Sequence, residues 1–425
     1  MRLWDKGGEL DAAVAEFTVG DDPTVDLAWA AHDVIGSAAH VSVLEAAGQL
    51  TYPEAAKLRF GLNLVLDDIR CGRFTIGRDE EDVHTAIEAR LTARLGPVAG
   101  KIHTGRSRND QVLTALRLWM LDELDGIEAE WHALAQAWLS FGAAHRDVPL
   151  TGYTHLQPAM PSSYGLWSAG YAAALLDLLP LLDAARAVVD RCPLGSAAGY
   201  GTPLPLDRAL GARLLGFSAV EAPVTTPQLT RGLVESALLG ALGAATALIA
   251  RWSWDLVIFT SAEFALIRLP DAFTTGSSIM PQKRNPDVAE LLRATAVGVR
   301  AARREIEDLV ALPGGYQRDV QLTKAPLLRG VRASRQALRI AAHLAPALTP
   351  TPRPLDPTLF AAAEAYRRDK PFREAYGDVA AELKAGTFAA QPSPPPAWDV
   401  EVLHARVAAP TRDRWAAWNA LVAPV

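Results

Sequence analysis

Ser236-Ala237-Leu238-Leu239-Gly240-Ala241-Leu242-Gly243-Ala244-Ala245-Thr246-Ala247-Leu248-Ile249-Ala250 is bounded by Glu235 and Arg251. On a helix this run is apolar around its whole circumference. It is shorter than the ~20 residues that span a bilayer, and it carries small polar residues. A helix apolar on all sides but too short to cross a membrane is a buried bundle helix. The stretch therefore predicts an all-α fold built around a central bundle.

Working outward, the run lies within a helical segment from Leu229 to Ile267. Apolar residues recur at helical spacing from Asp110 to about Ala144, as in Val112, Leu116, Trp119, Met120 and Leu124. A further segment covers Tyr164 to about Arg191, with Pro180 a kink, and another runs from Pro286 to about Leu312. Helices of about thirty residues are ~45 Å long. Several together form an elongated bundle, and burial on every side of the middle helix predicts a bundle shared between copies, a homo-oligomer. Strand patterns are scarce, with Gly72 to Gly77 the best of them. Proline-rich stretches at Thr349 to Pro357 and Pro392 to Pro396 mark a smaller C-terminal region, and no solenoid repeat is present.

The chain has 425 residues, long enough for two or three domains. A net charge of -6 argues against a nucleic-acid partner, which would need a basic face. Two cysteines, Cys71 and Cys192, fit a reducing cytoplasm and are expected as inert thiols in or near the core. Met1 to Lys6 is charged at once and does not read as a signal peptide, and no membrane partner is expected.

Polar loops fall at the junctions between long helices, where a rigid frame positions chemistry. Thr275 to Asp287 combines a Gly-Ser-Ser turn, the cation Lys283 and the amide of Asn285 just before a helix. Asn285-Pro286-Asp287 reads as an N-cap, a proline at the first helical position and an acid in the first turn. That combination suits removal of a proton beside a carboxylate, although each feature alone also fits an ordinary capped loop. His103 to Gln111 packs Arg106, Arg108 and Asn109 before a helix, either a carboxylate-binding loop or a salt-bridged turn. Gly152 to Pro158 places Thr154 and His155 in a junction, where imidazole can carry protons near neutral pH. Pro313 to Lys324 is a glycine-hinged loop with Tyr316, Gln321 and Lys324 as donors, which taken alone reads first as a helix C-cap followed by a polar turn. No zinc, calcium, phosphate-loop, dinucleotide or serine-hydrolase motif is present, so no metal or cofactor is expected.

Gly276 to Pro286 resembles the signature loop of the fumarase/aspartase superfamily of lyases. With His103 to Gln111, Gly152 to Gln157, Tyr316 to Lys324, Glu81 to Glu88 and Pro193 to Ser196, the chain resembles the argininosuccinate lyases within it, over roughly residues 1 to 385. The resemblance implies a three-domain fold (1–104, 105–348, 349–425) with its long-helix bundle shared in a homotetramer. Each active site is then built from three subunits, so His155 and Ser277 meet across a subunit boundary. It implies reversible elimination of argininosuccinate to L-arginine and fumarate through an aci-carboxylate carbanion, without metal or cofactor. By resemblance, Ser277 is the base, Lys283 and Asn285 stabilise the developing charge, and His155 with Glu290 handles the second proton. Whether His155 acts directly or through water is left open. Arg108, Asn109 and Thr154 resemble substrate contacts, and Tyr316, Gln321 and Lys324 the site for the arginine half. Gly20 stands where the family usually has a ligand-contacting serine, and Tyr316-Gln317-Arg318-Asp319 replaces a commoner Tyr-Asn-Lys-Asp. Adenylosuccinate lyases and aspartases share the signature loop, and the fold also occurs as a non-catalytic lens crystallin.

Overall fold

The computed structural model describes residues 11–77, 79–394, 396–407 and 413–423; Met1 to Lys6, and Pro395 of the second proline stretch, lie outside them. After short helices at Ala12–Val19 and Asp22–Val25 come three longer N-terminal helices: α1 (Ala30–Ala46), α2 (Tyr52–Arg70) and α3 (Val83–Leu95). The bundle follows: α4 (Arg108–Ala144), α5 (Tyr164–Asp177), α6 (Leu179–Val189), α7 (Leu233–Phe259), α8 (Asp287–Leu309) and α9 (Lys324–Leu344). α10 (Phe372–Ala385) and α11 (Arg414–Val422) close the chain. The fold is all-α, with shorter helical turns between these elements.

Local chemistry sets the helix ends. Ser107 caps α4: its Oγ accepts the Asn109 N–H, and its own N–H donates to Asp110 Oδ1 at 3.0 Å. The other Asp110 oxygen accepts the N–H groups of Gly195 and Ala197, tying the loop after α6 to the start of α4. The Tyr164 to Arg191 segment is broken at Leu178 beside Pro180, as its proline predicts. The Leu229 to Ile267 segment is shorter than its apolar content suggested. Arg231 is extended and Gly232 has φ +83°, separating α7 from a short turn at Thr226–Thr230, and the helix ends at Phe259.

α7 packs against α6, α8 and α9. It is not buried on every side within one chain. Leu233, Ala237 and Trp254 are exposed, and Gly240, Ala244 and Ala247 are only half-buried, so one apolar stripe is uncovered. One continuous core joins the N-terminal helices to the bundle. α11 returns to it, with the Trp418 ring against His32 and the Trp415 and Arg414 side chains on Asp122 and Asp125. Cys192 is buried as expected, but Cys71 is exposed at the C-cap of α2.

Gly72 to Gly77 forms no strand. The one substantial sheet is an antiparallel hairpin, β1 (Pro149–Thr154) and β2 (Gln157–Ser163), where the sequence suggested only a loop. His155 and Leu156 form its two-residue tip, both left-handed at φ +55° and +58°. Such tips favour Asn-Gly, so the hairpin carried no sequence signal.

Candidate active site

The polar loops gather at opposite ends of the bundle. One end holds the start of α4, the end of α8 and the start of α9. Here Lys324 Nζ is buried between Asp26 and Asp22, at 2.7 and 2.8 Å. Arg231 donates to Gln321 Oε1 at 2.9 Å, and Gln321 Nε2 donates to the Tyr316 hydroxyl at 3.2 Å. Arg108 pairs with Glu81 and Asp82, and these carboxylates hold its guanidinium more firmly protonated despite burial. Asn109 is buried beside it.

Behind these groups lies a buried ionic layer. His84 meets Asp33, which also accepts from Gln111 Nε2 at 3.0 Å. Burial works against the charged imidazole, but Asp33, with Asp82 and Asp26, raises its pKa. Arg106 is turned inward to Ser37 and is no surface cation. Burial and Arg106 push His103 down to about 4. Arg318, the departure from the commoner lysine, reaches Glu81 and the Thr18 carbonyl oxygen in the segment where Gly20 replaces serine.

The other end holds the hairpin, the end of α7 and the start of α8. Tyr153 stacks edge-on against Phe264, and the Tyr164 hydroxyl donates to the Leu266 carbonyl oxygen. Exposed His155 lines a cleft of about 440 Å³ with Tyr153, Trp167, Asp255 and Phe264. Thr154, next to it, is exposed as well.

The Gly276–Asn285 loop is closed at its neck by paired backbone hydrogen bonds between Thr275 and Asn285, at 2.9 and 3.1 Å. Ser277 Oγ accepts the N–H groups of Ile279 and Met280 at 3.3 and 3.1 Å, contacts that favour negative charge on that oxygen. Lys283 and Glu290 are exposed, as is Ile279 at 85%. Asn285 is not the N-cap. Its amide nitrogen donates to the Gly276 carbonyl oxygen and Thr275 Oγ1, which turns the side chain into the loop, and α8 has no side-chain cap hydrogen bond. Pro286 takes the cap position and Asp287 opens α8.

Twenty-three residues of α8 separate the Ser277 loop from the Tyr316–Lys324 group, a span of roughly 35 Å. The 37 residues of α4 separate Arg108 from the hairpin by roughly 55 Å. Among the described residues no hydrogen bond or ion pair joins His155, Glu290 and Ser277 to one another. One chain thus brings Arg108, Asn109, Tyr316, Gln321 and Lys324 to one end, and Thr154, His155, Ser277, Lys283, Asn285 and Glu290 to the other. The sequence missed Asp22, Asp26 and Arg231, because their partners lie 90 to 302 residues away.

A lyase family model matches residues 8–301. The chain is 45% identical over 392 residues to an argininosuccinate lyase of Sorangium cellulosum, covering 91% of each. It is 44% identical over 416 residues to one of Stenotrophomonas maltophilia, covering 94% of this chain and 96% of the relative. Its fold is that of a class II fumarase from Schistosoma mansoni, with TM-score 0.73, 16% identity and 88% of each chain covered. An EDDS lyase variant with bound fumarate has the same fold at TM-score 0.72 and 23% identity, over 89% of this chain and 78% of that one.

Proposed function

The chain belongs to the argininosuccinate lyase family, and on that premise we propose that it cleaves argininosuccinate reversibly to L-arginine and fumarate, the last step of arginine biosynthesis, in the cytoplasm. The observation that carries the reading is the 44–45% identity to argininosuccinate lyases over more than nine-tenths of the chain; a Ser277 loop at one bundle end and the Arg231–Gln321–Tyr316 hydrogen-bond chain at the other fit it.

Removing the proton beside a carboxylate builds a doubly charged aci-carboxylate, so the useful groups are those that bind this species more tightly than the substrate. Ser277 is the base, its oxygen already facing two N–H groups. Lys283, Asn285 and the positive end of α8 stabilise the carboxylate that gathers charge. Collapse expels the guanidino nitrogen, with His155 and its carboxylate partner Glu290 serving the second proton transfer. Arg108, Asn109 and Thr154 contact the substrate, and Tyr316, Gln321 and Lys324 hold its arginine half.

These groups meet when chains associate in a homotetramer with the uncovered stripe of α7 at the interface, so that each site takes loops from three subunits. Opposed bundles place one chain's Ser277 end beside another's Lys324 end. The same reading divides the chain into domains at 1–104, 105–348 and 349–425.

The test is ultraviolet detection of fumarate release. Argininosuccinate is turned over, while adenylosuccinate and aspartate are not. Turnover of adenylosuccinate alone, or an inert purified protein, contradicts the proposal.

A further inference from the structure

We infer that Arg231 is a positioning residue that sets the hydrogen-bond polarity of the pocket for the arginine half, making the Tyr316 hydroxyl a donor toward the ligand. The inference rests on the function proposed above.

Arg231 follows the short turn at Thr226–Thr230 and is 2% exposed. Gly232, at φ +83°, lets the chain turn from it into α7; a Cβ there would lie 2.1 Å from Val310 Cγ1. Arg231 Nη2 lies 2.9 Å from the Gln321 side chain. A guanidinium has donors and no acceptor, so the Gln321 atom facing it must be the carbonyl oxygen. That leaves the amide nitrogen facing the Tyr316 hydroxyl, 3.2 Å away. An amide nitrogen does not accept, so the Tyr316 oxygen accepts from it and keeps its own proton for another partner. The Arg231 guanidinium also lies 6.0 Å from the Tyr316 ring centroid, and its Nε and Nη1 are buried without a hydrogen bond.

Lys324, beside them, takes no part in orienting the Tyr316 proton: its Nζ is held by Asp22 and Asp26. A free donor at Tyr316 therefore suits an acceptor, a carboxylate oxygen on the amino-acid half of the substrate. Fumarate, the other product, binds at the charge-stabilising loop and does not depend on this relay.

Arg231→Met, Arg231→Lys and Gln321→Glu separate the relay from a general structural role. Each variant is checked for intact assembly, and KM for L-arginine and for fumarate is measured in the reverse reaction. Arg231→Met raises the arginine KM about tenfold and leaves the fumarate KM within about twofold. Arg231→Lys, still a donor-only cation, recovers part of the loss. Gln321→Glu keeps an acceptor for Arg231 but turns the Tyr316 proton inward, giving the same arginine-selective loss, and it decides the matter if Arg231→Met does not fold. Equal loss for arginine and fumarate, or no loss in either variant, overturns the inference. A wild-type enzyme that fails to cleave argininosuccinate overturns the proposed function instead.

Discussion

Ser277 Oγ accepts two backbone N–H groups, and its side chain contributes nothing to the core. Ser277→Ala therefore lowers kcat by roughly 10²–10⁴, the range for losing a positioned proton-transfer group, while size-exclusion chromatography shows unchanged assembly. Dissociation of that variant would contradict the assignment. A second residue-level expectation concerns pH. Burial and Arg106 hold His103 at about 4, so it stays neutral in the folded chain while the unfolded chain takes up a proton near 6.5. Stability is full above the unfolded value and is lost as pH falls through the window from 6.5 to about 4. His40, pushed down by burial and by Arg106, acts in the same sense. Chemical denaturation at about pH 7 and about pH 5 shows a stability gap that His103→Gln narrows by about 1 kcal/mol, allowing for solvent screening. An unchanged gap would count against it. Short-range chemistry of this kind was partly legible in the sequence. The signature loop is legible because its residues are contiguous, whereas the N-cap expected at Asn285 does not form because its amide is drawn to Gly276 by the loop closure. Asp26 could not be found at all, since its bond to Lys324 spans 298 residues.

Elements hold the candidate groups through their ends. The hairpin stands against the bundle where α4 and α5 approach closely: a Cβ on Gly165 would lie 2.5 Å from Arg146 Cα and 2.8 Å from the Gly142 carbonyl oxygen. His155 sits at its tip in a left-handed conformation, which costs a non-glycine residue roughly 1–2 kcal/mol and persists only where the frame enforces it. Long helices were legible from period and proline punctuation, as in α4 and in the α5–α6 break. The hairpin was not, because its pairing is enforced by tertiary context without turn chemistry. The start of α7 was also hidden, since Gly232 is one isolated glycine inside a longer stretch that reads as helical from Leu229. Gly232→Ala forces both a strained φ and a clash with Val310. It is expected to destabilise the protein by about 1–3 kcal/mol in urea denaturation and to weaken arginine binding. Wild-type stability in that variant would mean the α7 entry is not so constrained.

At the scale of the whole molecule, the bundle holds the two groups of candidate residues about 35 Å apart, measured along α8. The apolar run that marked the fold is uncovered on one stripe in a single chain, and burying that stripe would favour the proposed association. Ala244→Arg on the stripe is expected to reduce the assembly toward single chains in light scattering and to abolish turnover. A fully active single chain would contradict the shared site. The sequence indicated an oligomer but not how the loops divide, because only the folded bundle shows which loops share an end. The most direct measurement mixes two inactive variants, Ser277→Ala and Lys324→Ala, one from each end, and follows argininosuccinate cleavage after subunit exchange. If each site takes its Ser277 loop and its Lys324 group from different chains, random equal mixing leaves roughly one site in four with both intact. The predicted result is recovery to about a quarter of wild-type activity. No recovery, despite exchange verified by mass, would show that each chain completes its own site.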